Sequence, residues 1–546
     1  MKTTVNLFLL LLLIVAISGI GEAQVQREWV QRYNGDANSF DIASGMIPVT
    51  NGGILVYGSS IGMGTLTDFS IIKYSAEGNQ LWAARYNGEA NLSDQLNEAI
   101  VSIDGSIYVT GFITANDNNT KFSAAKFSPN GNLLWLRVIE ESGYSSGSGE
   151  TVVEGSTGNF VCAGVLRNSS DEYKTTLASF SAAGVLERKL ILNSFGNCYP
   201  ISIQAGSAGS IYMAYEKSVE NNGSDIAIAK FDSSLNMIWE KTFSGNASSS
   251  SDRPSDMKLD RSGNILVSGS ILNASSSADY FVSKISSEGN VIWQNHYGVT
   301  FSDIPSSIST DNFGNCYVTG SSRNGTGLGA EDILTLKISS SGALEWTSLF
   351  NGSANGSDGG NSVAVDTNGN VYVGGYSDRG SVQVTYFIQK LNQTGQMIWS
   401  DRYSVTAEPE DFIYSIVLDM ESSVYVTGIS LGDSTDYDIT TIKYSDIIGI
   451  GSNTTALPSS AELHQNYPNP FNPNTKIIYD LRSRGNVSLV INEISGKQIT
   501  KLVNEFQSQG RHEVGFEAES LPSGIYFYTL RVNGVAVSTR KMSLIK

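Results

Sequence analysis

Residues 361–399 read NSVAVDTNGNVYVGGYSDRGSVQVTYFIQKLNQTGQMIW, and this stretch decides the fold. Apolar and polar residues alternate in four short segments, which is the pattern of β-strands that pack against neighbours. DTNGN and QTGQ lie between strands, where Asp caps turn amides and Gly accepts the positive φ of a tight turn. The stretch therefore predicts a unit of four antiparallel strands, the last of which carries Trp399.

The same unit recurs along the chain, and its tryptophans give the repeat length. The intervals between successive tryptophans are 53, 53, 104, 54, 53 and 53 residues, and the interval of 104 spans two units because Arg188 takes one tryptophan position. Strands of the form IYVTG or VYVGG recur eight times at the same mean spacing. We therefore predict eight units whose outer hairpins are stabilised by tryptophan. These structural residues are Trp29, Trp82, Trp135, Trp239, Trp293, Trp346 and Trp399.

Four-stranded repeats without helices between them predict blades that pack radially. The mature chain begins with a lone tryptophan strand at 26–33, and the eighth unit, 412–444, lacks its fourth strand. One end supplies what the other lacks. We therefore predict an all-β protein in which residues 24–445 form an eight-bladed β-propeller of four-stranded blades closed by the N-terminal strand. Closure also removes open sheet edges that would invite aggregation.

The two ends of the chain carry different signals. Residues 1–23 combine a lysine, an apolar core of thirteen residues and a small-x-small site, which predicts a cleaved signal peptide and Sec export to the periplasm. That core is shorter than the roughly 20 residues of a membrane-spanning helix, so we expect no transmembrane anchor. Residues 446–462 lack periodicity and predict a linker. Alternating strands over 463–546 predict a small β-sandwich.

The net charge and the cysteine count exclude one class of partner and one kind of covalent framework. The formal charge is −18, and the basic C-terminal segment leaves about −22 on residues 24–462. A surface this acidic repels phosphate, so we predict no nucleic-acid binding. The three cysteines are too few and too irregular for a disulfide framework, and Cys162 and Cys316 occupy apolar strand positions, which predicts small buried side chains.

Two segments resemble known families. The run D-x-x-G-N-x-Y-V-T-G with its G-x-x-x-W hairpin resembles the bacterial beta-propeller repeat family of secreted proteins, over residues 27–445. Residues 463–546 contain NYPNPFNP, LPSGIY and a basic end, and they resemble the Ig-like C-terminal sorting domain, type A, of the type IX secretion pathway in Bacteroidetes-like bacteria. The residues that match the sorting signal are Asn466, Tyr467, Pro468, Asn469, Pro470, Phe471, Asn472, Pro473, Gly524, Ile525, Tyr526 and Lys541.

The second resemblance implies a route and a location. The sorting domain is expected to bind the type IX secretion machinery at the outer membrane, with release to the medium or attachment at the cell surface. The propeller is then the exported cargo.

Recurring carboxylates are the candidate chemical groups. Asp41, Asp94, Asp358 and Asp411 occupy equivalent positions where an outer strand crosses to the next inner strand, and Asp256 and Asp303 align loosely with them. One interpretation is a carboxylate ring at a channel mouth that binds a hard cation such as calcium or focuses negative potential. The alternative is that each Asp binds the amides of its own crossing loop.

A second carboxylate set begins the third strand of several units. We expect it to pair with lysines of neighbouring blades, in contacts worth roughly 0–1 kcal/mol each. Its members are Asp68, Asp225, Asp279, Asp332 and Asp438.

The sequence favours binding over catalysis. Only His296 lies in the repeats, and no P-loop, HExxH or CxxC motif occurs, so apart from calcium we predict no cofactor. We predict a monomeric scaffold for an extracellular protein or glycan. A glycan-acting carboxylate enzyme and an envelope or adhesin component remain alternatives. The hairpins also resemble those of eight-bladed quinoprotein dehydrogenases, but the adjacent Cys-Cys pair of that family is absent. Arg188 and Tyr215 depart most from the repeat, which indicates drift or a site at the rim.

Overall fold

The protein is described here by a computed structural model. It covers residues 25–49, 53–155, 158–247, 250–274, 277–298, 301–323, 331–380, 383–406, 409–432, 435–446, 462–481, 485–493, 498–508, 510–519, 521–532 and 535–546. The chain divides into two compact units, 1–449 and 450–546, and each is described by itself. The predicted signal peptide lies outside the described residues, as does nearly all of the predicted linker.

The first unit consists of short strands that pair antiparallel except at Ser250–Ser251, with one 3-10 turn (Ser207–Gly209) as the helical element within its described residues. Its strands are β1 (Val25–Tyr33), β2 (Asp41–Pro48), β3 (Gly53–Ile61), β4 (Thr67–Ser75), β5 (Gln80–Tyr86), β6 (Gln95–Val101), β7 (Ile107–Thr114), β8 (Thr120–Phe127), β9 (Leu133–Val138), β10 (Tyr144–Glu154), β11 (Phe160–Asn168), β12 (Tyr173–Phe180), β13 (Leu186–Ile191), β14 (Cys198–Ala205), β15 (Ile211–Val219), β16 (Gly223–Phe231), β17 (Met237–Phe243), β18 (Ser250–Ser251), β19 (Arg253–Leu259), β20 (Ile265–Leu272), β21 (Ala278–Ile285), β22 (Val291–Tyr297), β23 (Asp303–Thr310), β24 (Cys316–Arg323), β25 (Glu331–Ile338), β26 (Leu344–Phe350), β27 (Asp358–Val365), β28 (Val371–Asp378), β29 (Val384–Leu391), β30 (Met397–Tyr403), β31 (Phe412–Leu418), β32 (Val424–Leu431) and β33 (Tyr437–Asp446).

These strands form eight sheets, which we number as blades in chain order. Blades 1 to 3 are β2–β5, β6–β9 and β10–β13, and blades 4 to 7 are β14–β17, β19–β22, β23–β26 and β27–β30. The short strand β18 adds to blade 4 by parallel pairing with β16. Blade 8 is β31–β33 completed by β1, which pairs with β33 and sets Trp29 opposite Lys443. The predicted eight-bladed propeller fold is confirmed, and β1 lies where the closing-strand prediction requires it.

Packing between blades explains why these sequences form strands. The eight first strands contact one another in order, and β31 contacts β2. The second strands are buried on both faces, and their apolar side chains meet the next blade, as Leu55 meets Val109 in the core between blades 1 and 2. Burying one such side chain contributes roughly 1.5–3 kcal/mol. Cys162, Cys198 and Cys316 are free and buried, which confirms the prediction for Cys162 and Cys316.

Each first strand contains a β-bulge at the same point, and side chains at these bulges connect neighbouring blades. Ser44 Oγ donates to the carbonyl of Leu96 at 2.6 Å, and Asn97 Nδ2 donates to that of Gly149 at 2.7 Å. Bulges re-aim side chains and are common beside functional sites and at rims. Here they place polar groups on the side of the blades where the first strands meet.

The second unit is a sandwich of two sheets around one core. Its strands are β34 (Glu462–Leu463), β35 (Asn474–Leu481), β36 (Gly485–Glu493), β37 (Gln498–Gln507), β38 (Gly510–Glu517), β39 (Gly524–Val532) and β40 (Val535–Leu544). One sheet has the order β34–β35–β38 and the other β37–β36–β39–β40. Tyr479, Leu489 and Tyr528 pack between them. This confirms the predicted sandwich. Within the described residues, no helix is long and apolar enough to cross a membrane.

Candidate functional site

The carboxylates at the crossing loops are buried and bound by backbone amides. Asp94 is fully buried, and its Oδ1 accepts from the amide of Thr114 at 2.8 Å while its Oδ2 accepts from the amide of Gly88. Asp358 likewise accepts from the amide of Gly352 at 2.6 Å, and from the hydroxyl of Ser377. Each carboxylate thus ties a crossing loop to the start of its blade, which is the chemistry of the turn-capping interpretation.

Strand register corrects one member of this set. Asp252 occupies the position in blade 5, because its two oxygens accept from the amides of Gly245 (2.5 Å) and Leu272 (2.8 Å). The alignment of Asp256 was therefore wrong, since Asp256 lies opposite Ser268, beyond the bulge. The eight equivalent positions, in blade order, are Asp41, Asp94, Gly147, Cys198, Asp252, Asp303, Asp358 and Asp411.

Burial dominates the electrostatics of this set. It raises the pKa of Asp41 to about 6 and that of Asp411 to about 6, and it also raises the pKa values of Asp94 and Asp358. Among the residues that the structure describes, no cluster of three or more His, Cys, Asp or Glu side chains is arranged to hold a metal ion. The calcium interpretation of this ring stays a prediction.

The second carboxylate set has different partners from those expected. Asp68 pairs with Arg85 at 2.5 Å, and Asp438 pairs with Arg32 at 2.8 Å. Both partners are arginines on the fourth strand of the same sheet, so for these two blades the expected pairing with lysines of neighbouring blades is wrong. The Asp438 pair joins β33 to β1 and stabilises the completed blade 8.

The first strands also carry ionisable groups that sequence reasoning missed. Glu98 accepts from the amide of Val152 in blade 3 at 2.7 Å, and Asp256 accepts from that of Ile308 in blade 6 at 3.2 Å. Burial raises the pKa of Glu98, while Asp256 and, more weakly, Glu98 raise the pKa of Lys258. These groups connect adjacent blades, and the bulge register that brings them together could not be located from the sequence.

The tryptophans connect each blade to the next. Trp293 Nε1 donates to the carbonyl of Ser340 at 3.1 Å, in the outer hairpin of the following blade. Gly342 of that hairpin has φ +92°, and a Cβ there would lie 2.7 Å from the indole of Trp293. The same indole-on-glycine contact joins Trp29, Trp82, Trp135, Trp239 and Trp346 to Gly78, Gly131, Gly184, Gly289 and Gly395. This supports the structural role predicted for these residues.

One missing tryptophan coincides with one missing glycine. Arg188 replaces tryptophan in blade 3, and Leu235, with φ +62°, replaces the hairpin glycine of blade 4. Without an indole against the hairpin, a side chain fits at this position, and Leu235 is buried in the core between the two blades. The departure at Arg188 is therefore compensated by packing.

A lysine on the third strand lies opposite each tryptophan. Lys390, opposite Trp399, places Nζ 4.9 Å from the centre of the Tyr372 ring. Lys390 and Tyr372 are both buried, and a desolvated cation–π contact of this kind contributes about 2 kcal/mol. The same contact occurs for Lys126, Lys230, Lys337 and Lys443.

A pocket opens where the repeat pattern breaks, between blades 2 and 3. This rim pocket is lined by residues 121–122, 139–147, 166 and 189, and its volume is about 470 Å³. Ligand sites commonly measure roughly 300–1,000 Å³. Gly147 stands at the usual Asp position, and β10 has a second bulge between Tyr144 and Ser146. The usual fastening of the crossing loop is therefore absent here.

Lysines take over that fastening. Lys121 occupies the third-strand position that Asp68 holds in blade 1, and its Nζ lies 3.5 Å from Glu140 and 3.6 Å from Asp117. Lys189 Nζ lies 2.6 Å from Glu141, whose pKa it lowers, and donates to the carbonyl of Glu140 at 2.7 Å. The pocket therefore presents ammonium and carboxylate groups side by side.

Two other pockets consist largely of repeat residues. They lie between blades 6 and 7 and between blades 7 and 8, with volumes of about 430 and 300 Å³. Asp366 of the DTNGN turn lines both, together with recurring Tyr and Lys side chains. The rim pocket differs from both because its lining departs from the repeat.

The sorting-signal residues divide into buried anchors and exposed groups. Asn466 is 2% exposed, and its side chain donates to Pro468 O at 3.1 Å and Thr475 Oγ1 at 3.0 Å. Phe471 and Tyr526 are also buried. The segment 467–470 between the first two anchors is exposed, as are Asn472, Gly524, Ile525 and Lys541.

An all-β protein with eight four-stranded blades followed by a small sandwich is the class that this architecture defines. Residues 465–545 match the family model described as the secretion system C-terminal sorting domain, and residues 345–379 match the beta-propeller repeat. The chain therefore carries beta-propeller repeats and a type IX sorting domain, and it is exported to the cell surface or the extracellular space. Both predicted resemblances are confirmed.

Solved structures and curated proteins complete the comparison. A quinohemoprotein alcohol dehydrogenase from Comamonas testosteroni aligns with a TM-score of 0.47 at 8% identity, over 81% of this chain and 79% of its own. A protein of unknown function from Bacteroides caccae aligns with a TM-score of 0.30 at 13% identity, over 53% of this chain and 93% of its own. Comparison with curated proteins finds no match. At these TM-scores, no activity is transferred to this chain.

Proposed function

We propose that this protein is a non-enzymatic binding protein that the type IX pathway delivers to the cell surface or the medium, and that it takes an extracellular ligand in the rim pocket. The observation that carries the proposal is the position of this pocket at the break in the repeat. Side chains that recur in most blades serve the blade, as the buried Asp does in six blades and the tryptophan in seven. The rim-pocket residues lack that explanation.

The crossing-loop carboxylates support binding over hydrolysis. A general acid or base must reach its substrate proton within about 3 Å or through one water. Asp94 and Asp358 are fully buried and already accept amide hydrogen bonds. They are poorly placed to transfer a proton to a glycan, so the glycan-acting enzyme is the weaker alternative.

The test uses the mature full-length protein and a matched pair of variants. Ser145→Trp fills the rim pocket from an exposed position, and Ser353→Trp places the same indole on the exposed crossing loop between blades 6 and 7. Arrays of glycans and of extracellular peptides are probed with all three proteins. We expect ligands that bind the wild type and Ser353→Trp but not Ser145→Trp, without turnover. Cleavage of any bound glycan, or binding that Ser145→Trp leaves intact, would contradict the proposal.

The calcium ring and the monomeric state are separate proposals. If calcium binds Asp94 and Asp358, it raises the melting temperature of the wild type, and Asp94→Asn with Asp358→Asn abolishes the rise. A melting temperature that millimolar calcium leaves unchanged would refute the calcium ring and would agree with carboxylates that backbone amides already occupy. Light scattering of the mature protein checks the proposed monomer.

A further inference from the structure

We infer that the rim pocket binds a neutral oligosaccharide. This inference rests on the proposed binding function and adds the chemical class of the ligand. It is carried by the pattern of charges in the pocket, by the aromatic ring beside it and by the charge of the surrounding surface.

The charges inside the pocket compensate one another. Lys121 is shared between Glu140 and Asp117, and Lys189 is paired with Glu141. A charged ligand would have to compete with these partners for its counter-charge. A sugar hydroxyl needs no such exchange, because it donates to a carboxylate and accepts from an ammonium group at the same time. Adjacent hydroxyls of one sugar ring match ammonium and carboxylate groups that lie about 3 Å apart, and hydrogen bonds to charged groups are the stronger kind.

The other residues that line the rim pocket can contact the C–H groups and the remaining hydroxyls of a sugar ring. Tyr144 lines the pocket with a half-buried ring that packs against the core between blades 2 and 3. The electron-rich face of such a ring attracts the weakly positive C–H groups of a pyranose. Buried Phe122 and Leu166 form the floor, and Ser142, Ser145 and Ser146 add hydroxyls along the loop. A rigid aromatic ring beside adaptable polar groups is a common recognition surface.

Gly147 keeps the pocket open. A Cβ at this position would lie 2.7 Å from Leu166 Cδ2 and 2.7 Å from the carbonyl of Val165, so the aspartate that six other blades carry here does not fit. Lysine replaces the third-strand aspartate in blades 2 and 3, at Lys121 and Lys174. At this crossing, Gly147 replaces the crossing-loop aspartate and Lys121 replaces the third-strand aspartate. The two changes occur together, which indicates that these residues serve a site rather than the blade.

The surrounding charge selects against acidic glycans. Residues 24–462 carry a formal charge of about −22, whose field repels polyanions before they reach the pocket. A neutral ligand experiences no such repulsion, and its affinity is insensitive to salt. Salt dependence therefore separates the two ligand classes.

The experiment titrates the mature full-length protein, by calorimetry, with neutral oligosaccharides of two to four hexose units, with sulfated and uronic-acid oligosaccharides, and with a pool of neutral peptides. We expect binding of at least one neutral oligosaccharide, with a Kd that changes less than about twofold between low and high salt. Tyr144→Ala weakens it about tenfold through the lost ring face. Ser145→Trp abolishes it, and Ser353→Trp leaves it unchanged. Thermal melting shows whether each variant is folded. If Ser145→Trp is unfolded, the effect of Tyr144→Ala alone decides whether the oligosaccharide binds in the rim pocket.

Each other result contradicts a specific claim: the ligand class, the location of the site or the binding function itself. Binding restricted to acidic oligosaccharides or to peptides, and lost in Tyr144→Ala, overturns the ligand class but leaves the proposed function standing. Binding of neutral oligosaccharides that Tyr144→Ala and Ser145→Trp do not change overturns the pocket. Absence of binding to every probe overturns the inference, and the wider arrays then decide whether the proposed function falls with it.

Discussion

Substituting Gly342 by alanine tests the contact that joins one blade to the next. Gly342 has φ +92°, and an added Cβ would lie 2.7 Å from Cγ of Trp293. The left-handed backbone costs an L-residue roughly 1–2 kcal/mol. Displacing the indole also removes the hydrogen bond from Trp293 to Ser340, which contributes about 1 kcal/mol. We therefore expect Gly342→Ala to lower the free energy of unfolding by about 3 kcal/mol.

Gly263 supplies the matched control. It has φ +77°, and nothing lies within 4 Å of a Cβ built there, so Gly263→Ala measures the backbone cost alone. Urea denaturation followed by tryptophan fluorescence compares the two variants in the full-length protein. In a Trp293→Ala background, Gly342→Ala should cost no more than Gly263→Ala does. If the two glycine variants are equally destabilised in the wild-type background, the indole contact does not carry the stability assigned to it.

Three further perturbations address other parts of the molecule. Arg32→Ala leaves the carboxylate of Asp438 buried without a counter-charge, with the hydroxyl of Thr435 as its remaining donor. We therefore expect a loss of about 3 kcal/mol in urea denaturation and earlier proteolysis of β1, and an unchanged midpoint would show that β1 contributes little to blade 8. Burial raises the folded pKa values of Asp41 and Asp411 to about 6, above the unfolded value, so the free energy of unfolding falls by about 2 kcal/mol per group as pH rises from about 4 to about 6. The double Asn variant should flatten that part of the pH profile, and an unflattened profile would refute the shift. Asn466→Ala removes two buried hydrogen bonds, and we expect the sorting domain to lose roughly 2 kcal/mol and the exported fraction of the protein to fall; wild-type melting of that domain would contradict this.

The repeat was predictable because the same structural side chains recur at a fixed spacing in most blades. Tryptophan, turn Gly and the alternating second strand each have a local physical cause, and their period survives the loss of one member at Arg188. Asp252 was missed because the crossing loop that begins at Phe243 is longer than its counterparts, which obscures a count from the preceding strand. A count from the second-strand glycine would have found it, because Asp252 precedes Gly269 by 17 residues, the same distance as for the other aspartates of this set.

The rim pocket was harder to predict from the sequence than the repeat. Lys121 and Lys189 come from different blades and meet around Glu140 only after the strands are paired. The sequence did contain two signals. Lys121 precedes the third-strand lysine by five residues, which is the position of aspartate in several other units, and the crossing segment VIEESGYSSG lacks the Asn-Gly and the final Asp of its counterparts.

The pairing of β1 with β33 has a consequence for biosynthesis. The guanidinium of Arg32 and the carboxylate of Asp438 are 406 residues apart in sequence. Contacts of such separation form late, because the intervening chain must first be synthesised and ordered. A ribosome that stops early releases a chain that lacks both the partner of its first strand and the C-terminal tail. Unfinished copies consequently carry neither a complete last blade nor the sorting domain, so we expect that only finished copies are exported.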